Sequence, residues 1–295
     1  MSTSAATPLS FALVSSSPSA NQRWGQPVAL TIAGSDSGGG AGIQADLKTF
    51  QAFGVYGASV VTAVTAQNTV GVQAVHDIPA DVVAAQIDAV VQDIGVDGVK
   101  TGMLSTAEII LTVADRIHHW DIGGVLVVDP VMVSTKSGAR LLRAEAVATL
   151  KDALLPLAAV VTPNIPEAEV LVGHELADDQ AIREAARQIW ALGPRAVVMK
   201  GGHRTGDAVD LLFDGHEFHA FSSRREHTTS THGTGCTFSA AIAAGLARGE
   251  DVVAAVGSAK VYVAEAIRRA RPLGAGHGPV AHDWPLVRPL RVETP

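Results

Sequence analysis

The sequence predicts an α/β fold, a doubly wound and mostly parallel sheet with helices on both faces. From Val28 onward, short apolar, β-branched runs alternate with longer amphipathic runs, and fully apolar strands separated by helices are typical of a covered parallel sheet. After Lys200 the pattern changes, because Ala208–Phe213 and Glu217–Phe221 flank a turn as the strands of a hairpin would. We therefore also expect a small antiparallel edge.

The alternation gives the predicted elements in order. The predicted strands are Val28–Ala33, Ser59–Thr65, Val99–Gly102, Val125–Asp129, Val160–Thr162 and Ala196–Lys200. The predicted helices are Gly42–Phe53, Asp81–Ile94, Thr106–His118, Ala144–Leu154, Ile182–Leu192, Ala240–Leu246 and Val252–Ala270.

Composition indicates one compact domain. Hydrophobic residues make up 47% of the 295 residues and charged residues 17%, which is enough apolar surface for a large core and excludes a mainly disordered chain. Residues 1–26, rich in Ser, Ala and Pro, are expected to be a disordered leader, residues 27–284 a single domain, and residues 285–295 a C-terminal tail.

Charge and cysteine content narrow the partners and the compartment. The net charge is −7, with no run of lysine or arginine, so we expect neither a nucleic-acid nor a membrane partner. The apolar runs are too short to span a bilayer. The single cysteine, Cys236, forms no internal disulfide and fits a reducing cytoplasm.

The most informative motif is the glycine-rich turn His232-Gly233-Thr234-Gly235-Cys236, which opens an alanine-rich segment. Such a turn points backbone N–H groups and the positive end of a helix dipole at one anionic atom. At a helix N-terminus the pKa of the Cys236 thiol is expected to fall. A buried packing role for Cys236, and a Cys-His hydrolase with His232, both remain open at this point.

A second glycine-rich loop, residues 34–42, follows the first predicted strand. It matches neither the G-x-G-x-x-G dinucleotide motif nor a P-loop, which requires a lysine after the glycines. So many adjacent glycines favour close approach of backbone to a ligand, although a merely flexible loop remains the simpler reading.

Polar residues follow several other predicted strands. Asp129 and Lys200 end predicted strands and Asn164 follows one, and ligands of open α/β sheets bind beyond the carboxyl ends of the strands. We therefore expect these residues to converge at one edge. For Glu167 two roles are open: it could hold Mg²⁺ through water, or it could only complement a helix dipole. For Lys200 the two roles are a contact with phosphate and a side chain that simply extends its charge to the surface.

Taken together, the chain resembles the hydroxymethylpyrimidine and phosphomethylpyrimidine kinase family of thiamin biosynthesis, which has the ribokinase-like fold. The similarity runs in order from about Pro27 to Trp284 through the segments Ala29–Phe50, Thr62–Val72, Lys100–Leu104, Val128–Leu142, Val161–Leu171, Val197–His203 and His232–Ser239.

The resemblance implies ATP-dependent phosphorylation of 4-amino-5-hydroxymethyl-2-methylpyrimidine and then of its monophosphate, with Mg²⁺ and in a homodimer. The family's pyrimidine pocket carries over onto Gly34, Asp46, Gln67, Met103, Val131 and Cys236. Many family members have Glu where this chain has Gln67, and no loss of binding is expected because glutamine also donates and accepts.

The rest of the site also follows from the resemblance. Cys236 would accept the alcohol proton while the amides of Gly233, Thr234 and Gly235 stabilise the transferred group. Asn164, Lys200 and Thr234 would contact the nucleotide, Asp129 and Glu167 would associate with the metal, and Thr135–Gly138 would form a mobile flap.

Three alternatives remain. A pyridoxal or pyridoxine kinase on the same scaffold acts on a similar methylated ring with a hydroxymethyl group. A non-catalytic pyrimidine-binding protein keeps the fold without turnover. A Cys-His hydrolase needs a group that orients His232, and the sequence shows no evident one.

Overall fold

The computed structural model describes residues 23–132, 144–201 and 206–286. Its main sheet has eight strands in the order β10-β9-β8-β7-β6-β5-β1-β2, and β3 and β4 form a separate two-stranded sheet. The strands are β1 (Val28–Ala33), β2 (Tyr56–Val61), β3 (Ala63–Gln67), β4 (Val72–Asp77), β5 (Gly98–Thr101), β6 (Leu126–Val128), β7 (Val160–Val161), β8 (Ala196–Met199), β9 (Ala208–Phe213) and β10 (Phe218–Ser223).

Helices separate the parallel strands of the main sheet, as the sequence pattern predicts. They are α1 (Gly42–Ala52), α2 (Ala80–Asp93), α3 (Ala107–His119), α4 (Ala144–Thr149), α5 (Ile165–Val172), α6 (Asp179–Trp190), α7 (Thr234–Ala247) and α8 (Val252–Arg268). A π-helical turn, Leu150–Leu154, and a 3₁₀ turn, Leu155–Leu157, extend α4.

The pairing of the strands confirms the predicted fold class. Every neighbouring pair from β2 through β8 is parallel, whereas β9 pairs antiparallel with both β8 and β10. Two buried apolar clusters cover the two faces: α2, α3, α5 and α6 contribute to one, and α1, α7 and α8 to the other. The ribokinase-like, doubly wound sheet with an antiparallel edge is therefore present.

The predicted strand Ser59–Thr65 is wrong as a single element. The chain divides at Thr62, so that β2 extends the main sheet and β3 pairs antiparallel with β4. Thr62 joins the two sheets, since its N–H donates to Ala33 O and its carbonyl accepts from Ile78 N–H. The sequence pattern missed β4 because four of its six residues are exposed and lack the apolar run of a buried strand.

Helix α7 lies close against the centre of the sheet. Ten of its fourteen residues are buried, including Phe238 and a run of alanines. A Cβ on Gly98 would lie 2.4 Å from Ala243 O, so the close approach of α7 to β5 requires glycine there. This packing fixes the N-terminus of α7 beside the carboxyl ends of β5 and β6.

Two residues of the predicted leader contact the end of helix α2. Arg23 Nη1 donates to Asp93 O over 2.8 Å, and Trp24 Nε1 donates to Ile94 O over 2.9 Å, so residues 23 and 24 lie against the end of α2. Residues 1–22, the predicted flap 135–138, Gly202, His203 and residues 287–295 of the predicted tail lie outside the described residues. Within the described part, no helix combines the length and apolarity needed to cross a bilayer.

Candidate active site

The glycine-rich turn forms the N-terminus of α7, as predicted, although the helix begins at Thr234 rather than Ala240. Gly233 caps it in the left-handed conformation, with φ of 79°. A Cβ on Gly233 would lie 1.7 Å from Gly40 O. The two glycine-rich segments therefore pack backbone against backbone. Neither interpretation of the loop 34–42 drawn from the sequence, a ligand contact or a flexible loop, predicted this contact.

A cavity of about 440 Å³ lies at the carboxyl ends of the strands. Its volume falls in the range of small-molecule sites. All but one of the residues predicted for the site line it, namely Gly34, Gln67, Met103, Asp129, Val131, Asn164, Glu167, Lys200, Gly233, Thr234, Gly235 and Cys236. The expected convergence at one edge of the sheet is confirmed.

One end of the pocket combines apolar walls with an amide. Met103 packs over Gly34, where an added Cβ would lie 2.4 Å from the Met103 methyl carbon. Gln67 ends β3 at a register shift between Ala66 and Gln67, and such bulges redirect side chains. The Ser37 hydroxyl fixes the Gln67 backbone, because Ser37 Oγ lies 2.7 Å from both Gln67 N and Gln67 O.

Asp46, unlike the other residues predicted for the pyrimidine pocket, does not line the cavity. Asp46 is completely buried on α1, and its carboxylate accepts hydrogen bonds from Lys100 Nζ over 2.9 Å and from Thr31 Oγ1 over 2.6 Å. Lys100, not Asp46, lines the cavity. Asp46 acts behind the site, because an unpaired buried ammonium group would be strongly destabilising.

Sequence reasoning missed Lys100 as a site residue. It lies in the buried strand β5 with no exposed side-chain surface. Burial opposes the charge, but the carboxylate of Asp46, with contributions from Cys236 and Asp129, raises the pKa of Lys100. The signal was available, since a lysine inside an otherwise apolar strand needs a buried anionic partner.

The opposite side of the pocket is a group of two carboxylates and one lysine. Lys200 Nζ lies 2.8 Å from Asp129 Oδ1 and 3.8 Å from Glu167 Oε2. Asp129 also accepts from Ser239 Oγ over 3.3 Å. A Cβ on Gly235 would lie 3.4 Å from Lys200 Nζ. This charged group therefore adjoins the first turn of α7.

Asn164 and Glu167 form a capping box at the start of α5. Asn164 Oδ1 accepts from Glu167 N–H over 2.9 Å, and Glu167 Oε2 accepts from Asn164 N–H over 2.8 Å. Glu167 therefore lies in the first turn of α5, where an acidic residue complements the helix dipole as considered above, and it also lines the pocket. Burial raises the pKa of Glu167 to about 7 even though Lys200 opposes the shift.

The predicted low pKa of Cys236 is wrong. Burial raises the pKa of this thiol to about 11, although Lys100 and a hydrogen bond from the Gly42 backbone act in the opposite direction. The thiol is therefore protonated at neutral pH. Desolvation of the thiol outweighs these two opposing interactions.

The structure supplies an orienting group for His232 that the sequence did not reveal. His232 Nε2 lies 2.8 Å from Asp36 Oδ2, and Asp36 lies in the first glycine-rich loop. The same nitrogen lies 3.3 Å from Gln67 Nε2. Because Nε2 faces Asp36 and Gln67, and because the thiol is protonated, the geometry does not support a Cys-His nucleophile.

Comparison with known proteins gives consistent matches. The family model described as phosphomethylpyrimidine kinase matches residues 36–281. A hydroxymethylpyrimidine/phosphomethylpyrimidine kinase of Streptomyces coelicolor is 53% identical over 260 residues, which cover 88% of this chain and 96% of that protein. The thiamine biosynthesis bifunctional protein ThiED of Geobacter sulfurreducens is 56% identical over 254 residues, 86% of this chain, but the chain spans only 51% of that protein's length.

Solved structures share the architecture. The ADP complex of Bacillus subtilis pyridoxal kinase superimposes with a TM-score of 0.81 at 43% sequence identity, covering 88% of this chain and 98% of that one.

Proposed function

The chain belongs to the phosphomethylpyrimidine kinase family, and from that premise we propose that it transfers the γ-phosphoryl group of ATP twice. The first acceptor is the hydroxymethyl oxygen of 4-amino-5-hydroxymethyl-2-methylpyrimidine, and the second is the phosphate of the resulting monophosphate. One observation carries this proposal. In a single pocket, the start of α7 lies between the apolar end that can hold the pyrimidine ring and the charged group of Asp129, Glu167 and Lys200.

The ring would bind between Met103 and Val131, beside the Gln67 amide. Thioether and branched apolar side chains suit the faces of a heteroaromatic ring, while an amide pairs with its edge. The hydroxymethyl group would then point toward Cys236 at the first turn of α7. This places the acceptor oxygen where the backbone amides of Gly233–Cys236 face developing negative charge.

The nucleotide phosphates would bind at the opposite side of the turn. Lys200 would leave its contact with Asp129 to meet the phosphate oxygens, and the Asn164 and Thr234 side chains would flank them. Positioning and charge compensation are what phosphoryl transfer requires of a protein.

The same acidic residues fit Mg²⁺. Asp129 and Glu167 hold the ammonium group of Lys200 between them in this structure, which indicates a local preference for positive charge. Mg²⁺ uses oxygen ligands, takes few carboxylates and keeps much of its water. When bound, the ion would neutralise charge on the phosphates.

Cys236 would assist removal of the hydroxymethyl proton in the first transfer. A thiol with a pKa of about 11 is protonated at neutral pH, so this assistance requires that bound substrates increase the thiolate fraction, because an efficient general base has a pKa near the working pH. The second acceptor is already anionic, so this assistance is needed only in the first step.

A substrate panel tests the function. Hydroxymethylpyrimidine, its monophosphate and pyridoxine are each incubated with ATP, and ADP formation is followed. We expect turnover of both pyrimidines to exceed that of pyridoxine. The likeness to a pyridoxal kinase makes pyridoxine the relevant competitor, and turnover of pyridoxine alone would replace the proposal with that activity. Ligand binding without ADP formation would indicate a pyrimidine-binding protein instead.

The homodimer and the cytoplasmic location stay predictions. Sedimentation of the purified chain tests the former, and fractionation of cells that produce it tests the latter.

A further inference from the structure

The first turn of α7 is held differently from that of several other helices. In α3, α5, α6 and α8 the side chain of the cap residue accepts a hydrogen bond from a backbone N–H group of the first turn. Within the described part of the chain, no side chain caps α7 in this way. A cap would occupy N–H groups that the proposed function needs for the transferred phosphoryl group. Contacts other than a cap therefore have to hold this turn.

Two hydrogen bonds from Thr237 hold the turn by a carbonyl group. Gly233 O accepts from Thr237 N–H over 2.8 Å and from Thr237 Oγ1 over 2.8 Å. Gly233 precedes the helix in the left-handed conformation and has no side chain to limit rotation of its backbone. The two bonds therefore fix the peptide group that leads into α7.

His282 contacts the same hydroxyl group from the segment that follows α8. His282 Nε2 lies 3.0 Å from Thr237 Oγ1. His282 is 4% exposed, Thr237 is completely buried, and both lie outside the cavity lining. The backbone of His282 is held against α8, because Tyr262 Oη donates to His282 O over 2.5 Å and Ala281 N–H donates to Ala266 O over 3.0 Å. The imidazole therefore supports the start of α7 from inside the protein.

The hydroxyl group of Thr237 has one hydrogen, which fixes the direction of both contacts. Two oxygen atoms 2.8 Å apart need a hydrogen between them, and the carbonyl group of Gly233 has none to donate. The Thr237 hydrogen therefore goes to Gly233 O, and His282 Nε2 supplies the hydrogen of its own contact. Burial lowers the pKa of His282 to about 4. At neutral pH the ring is uncharged, with its one hydrogen on Nε2.

We propose that His282 is a positioning residue that acts through the Thr237 hydroxyl group to hold the first turn of α7 in the geometry that stabilises the transferred phosphoryl group. The proposal rests on the proposed function, which gives the N–H groups of this turn their role. His282 contacts neither the substrate nor the reacting atoms. Because both transfers use the same turn, His282 serves both steps, whereas Cys236 serves only the first.

The expected effect of losing the imidazole is on the rate rather than on binding. His282→Leu leaves the Thr237 oxygen as a buried acceptor without its donor, and the start of α7 shifts to relieve it. A misplacement of about 1 Å can cost about 10²-fold in rate. We therefore expect kcat to fall about tenfold or more in each transfer. Both KM values should change little, because the N–H groups act mainly on charge that develops in the transition state.

The direction of the hydrogen bond is tested first, independently of any activity. Nitrogen-15 NMR of the unliganded protein at neutral pH, with the His282 signals assigned from a His282→Gln variant, should show a protonated Nε2 and an unprotonated Nδ1. A neutral ring with its hydrogen on Nδ1 would overturn the proposal whether or not the protein is a pyrimidine kinase.

A conservative variant separates positioning from packing. The amide NH₂ group of glutamine can reach the place of Nε2, whereas leucine fills a similar volume without a donor. We expect His282→Gln to recover most of the kcat that His282→Leu loses, in both transfers, with the folded fraction of each variant checked by circular dichroism. Equal losses in the two variants, a loss confined to one transfer, or a raised KM with unchanged kcat would each overturn the proposal.

A double variant tests whether His282 acts through Thr237. Thr237→Val should lower kcat in both transfers, and adding His282→Leu should cause little further loss, because the contact is already gone. Independent, multiplying losses would overturn the proposal.

Thr49→Val is the matched control. Thr49 is also completely buried in a helix, its hydroxyl group donates to the carbonyl four residues back, Ala45 O, over 2.8 Å, and it lies outside the cavity lining. Its kcat should stay at the wild-type value in both transfers, and a loss equal to that of Thr237→Val would overturn the proposal. If the wild-type protein failed to turn over hydroxymethylpyrimidine, the proposed function would be contradicted, while the nitrogen-15 result would still report on the contact itself.

Discussion

Lys100 and Asp46 form a completely buried ion pair, Nζ to Oδ2 2.9 Å, that joins β5 to α1 beneath the pocket. Only the lysine reaches the cavity lining. Its charge lies close enough to favour the thiolate form of Cys236. The pair therefore provides the site with a fixed positive charge whose counterion is hidden from the ligand.

Asp46→Asn should destabilise the protein. The substitution leaves the Lys100 ammonium group buried without its counterion, and breaking a buried pair costs about 3–5 kcal/mol. Urea unfolding measures the change. The matched control is the double variant Asp46→Asn with Lys100→Met, which removes both charges and should recover part of the loss. If Asp46→Asn left the stability unchanged but raised the KM for the pyrimidine, Asp46 would contact the substrate, as the resemblance implied.

The Cys236 thiol should titrate near pH 11. Burial favours the uncharged form, so the thiolate appears only as the pH rises toward that value. Because Cys236 is the single cysteine, the rate of alkylation by iodoacetamide against pH reports this group alone. In Lys100→Met the midpoint should move higher still. A midpoint below about 8.5, the value of a free cysteine, would restore the low-pKa thiolate predicted from the sequence.

Cys236→Ala should slow the first phosphorylation much more than the second. An alcohol acceptor must lose its proton, whereas the phosphate acceptor of the second step is already ionised. Each step is measured separately with excess ATP, starting from hydroxymethylpyrimidine or from its monophosphate. The loss in the first step should exceed the loss in the second if general-base assistance is removed. Equal losses in both steps would leave Cys236 with a packing role.

Gly233→Ala should lower the free energy of unfolding much more than the same substitution at Gly249. Gly233 has φ of 79°, and its Cβ would collide with Gly40 O at 1.7 Å. Gly249 is the matched control, since its φ is 83° but nothing lies within 4 Å of an added Cβ. Gly249→Ala should cost only the backbone strain, about 1–2 kcal/mol. Urea unfolding of both variants isolates the collision, and similar losses would show that the two glycine-rich segments do not need to touch.

The sequence was sufficient to predict the sheet and the edge at which the site forms. Asp129, Asn164 and Lys200 follow successive strands, and parallel strands end together whatever the details of packing. The turn Gly233–Cys236 was recognisable because glycines directly before an apolar segment indicate a tight turn that leads into a helix. These are consequences of chain order and local geometry, which a sequence states directly.

The remaining features depend on contacts between distant residues. Asp46 and Lys100 are 54 positions apart, and Asp36 and His232 are 196 apart, so nothing local to either residue identifies its partner. The pKa of the Cys236 thiol likewise depends on distant residues, because burial together with the charges of Asp46 and Asp129 raises it. Desolvation is set by the whole fold, and it reversed the expected direction of this pKa.

The central claim, two successive phosphoryl transfers in one pocket, is tested most directly by following the products with phosphorus-31 NMR. The wild-type protein is incubated with hydroxymethylpyrimidine, excess ATP and Mg²⁺. We predict that a pyrimidine monophosphate signal appears first and is then replaced by the two coupled signals of a pyrimidine diphosphate. ADP formation that stops at the monophosphate, or no phosphorylated pyrimidine at all, would contradict the claim.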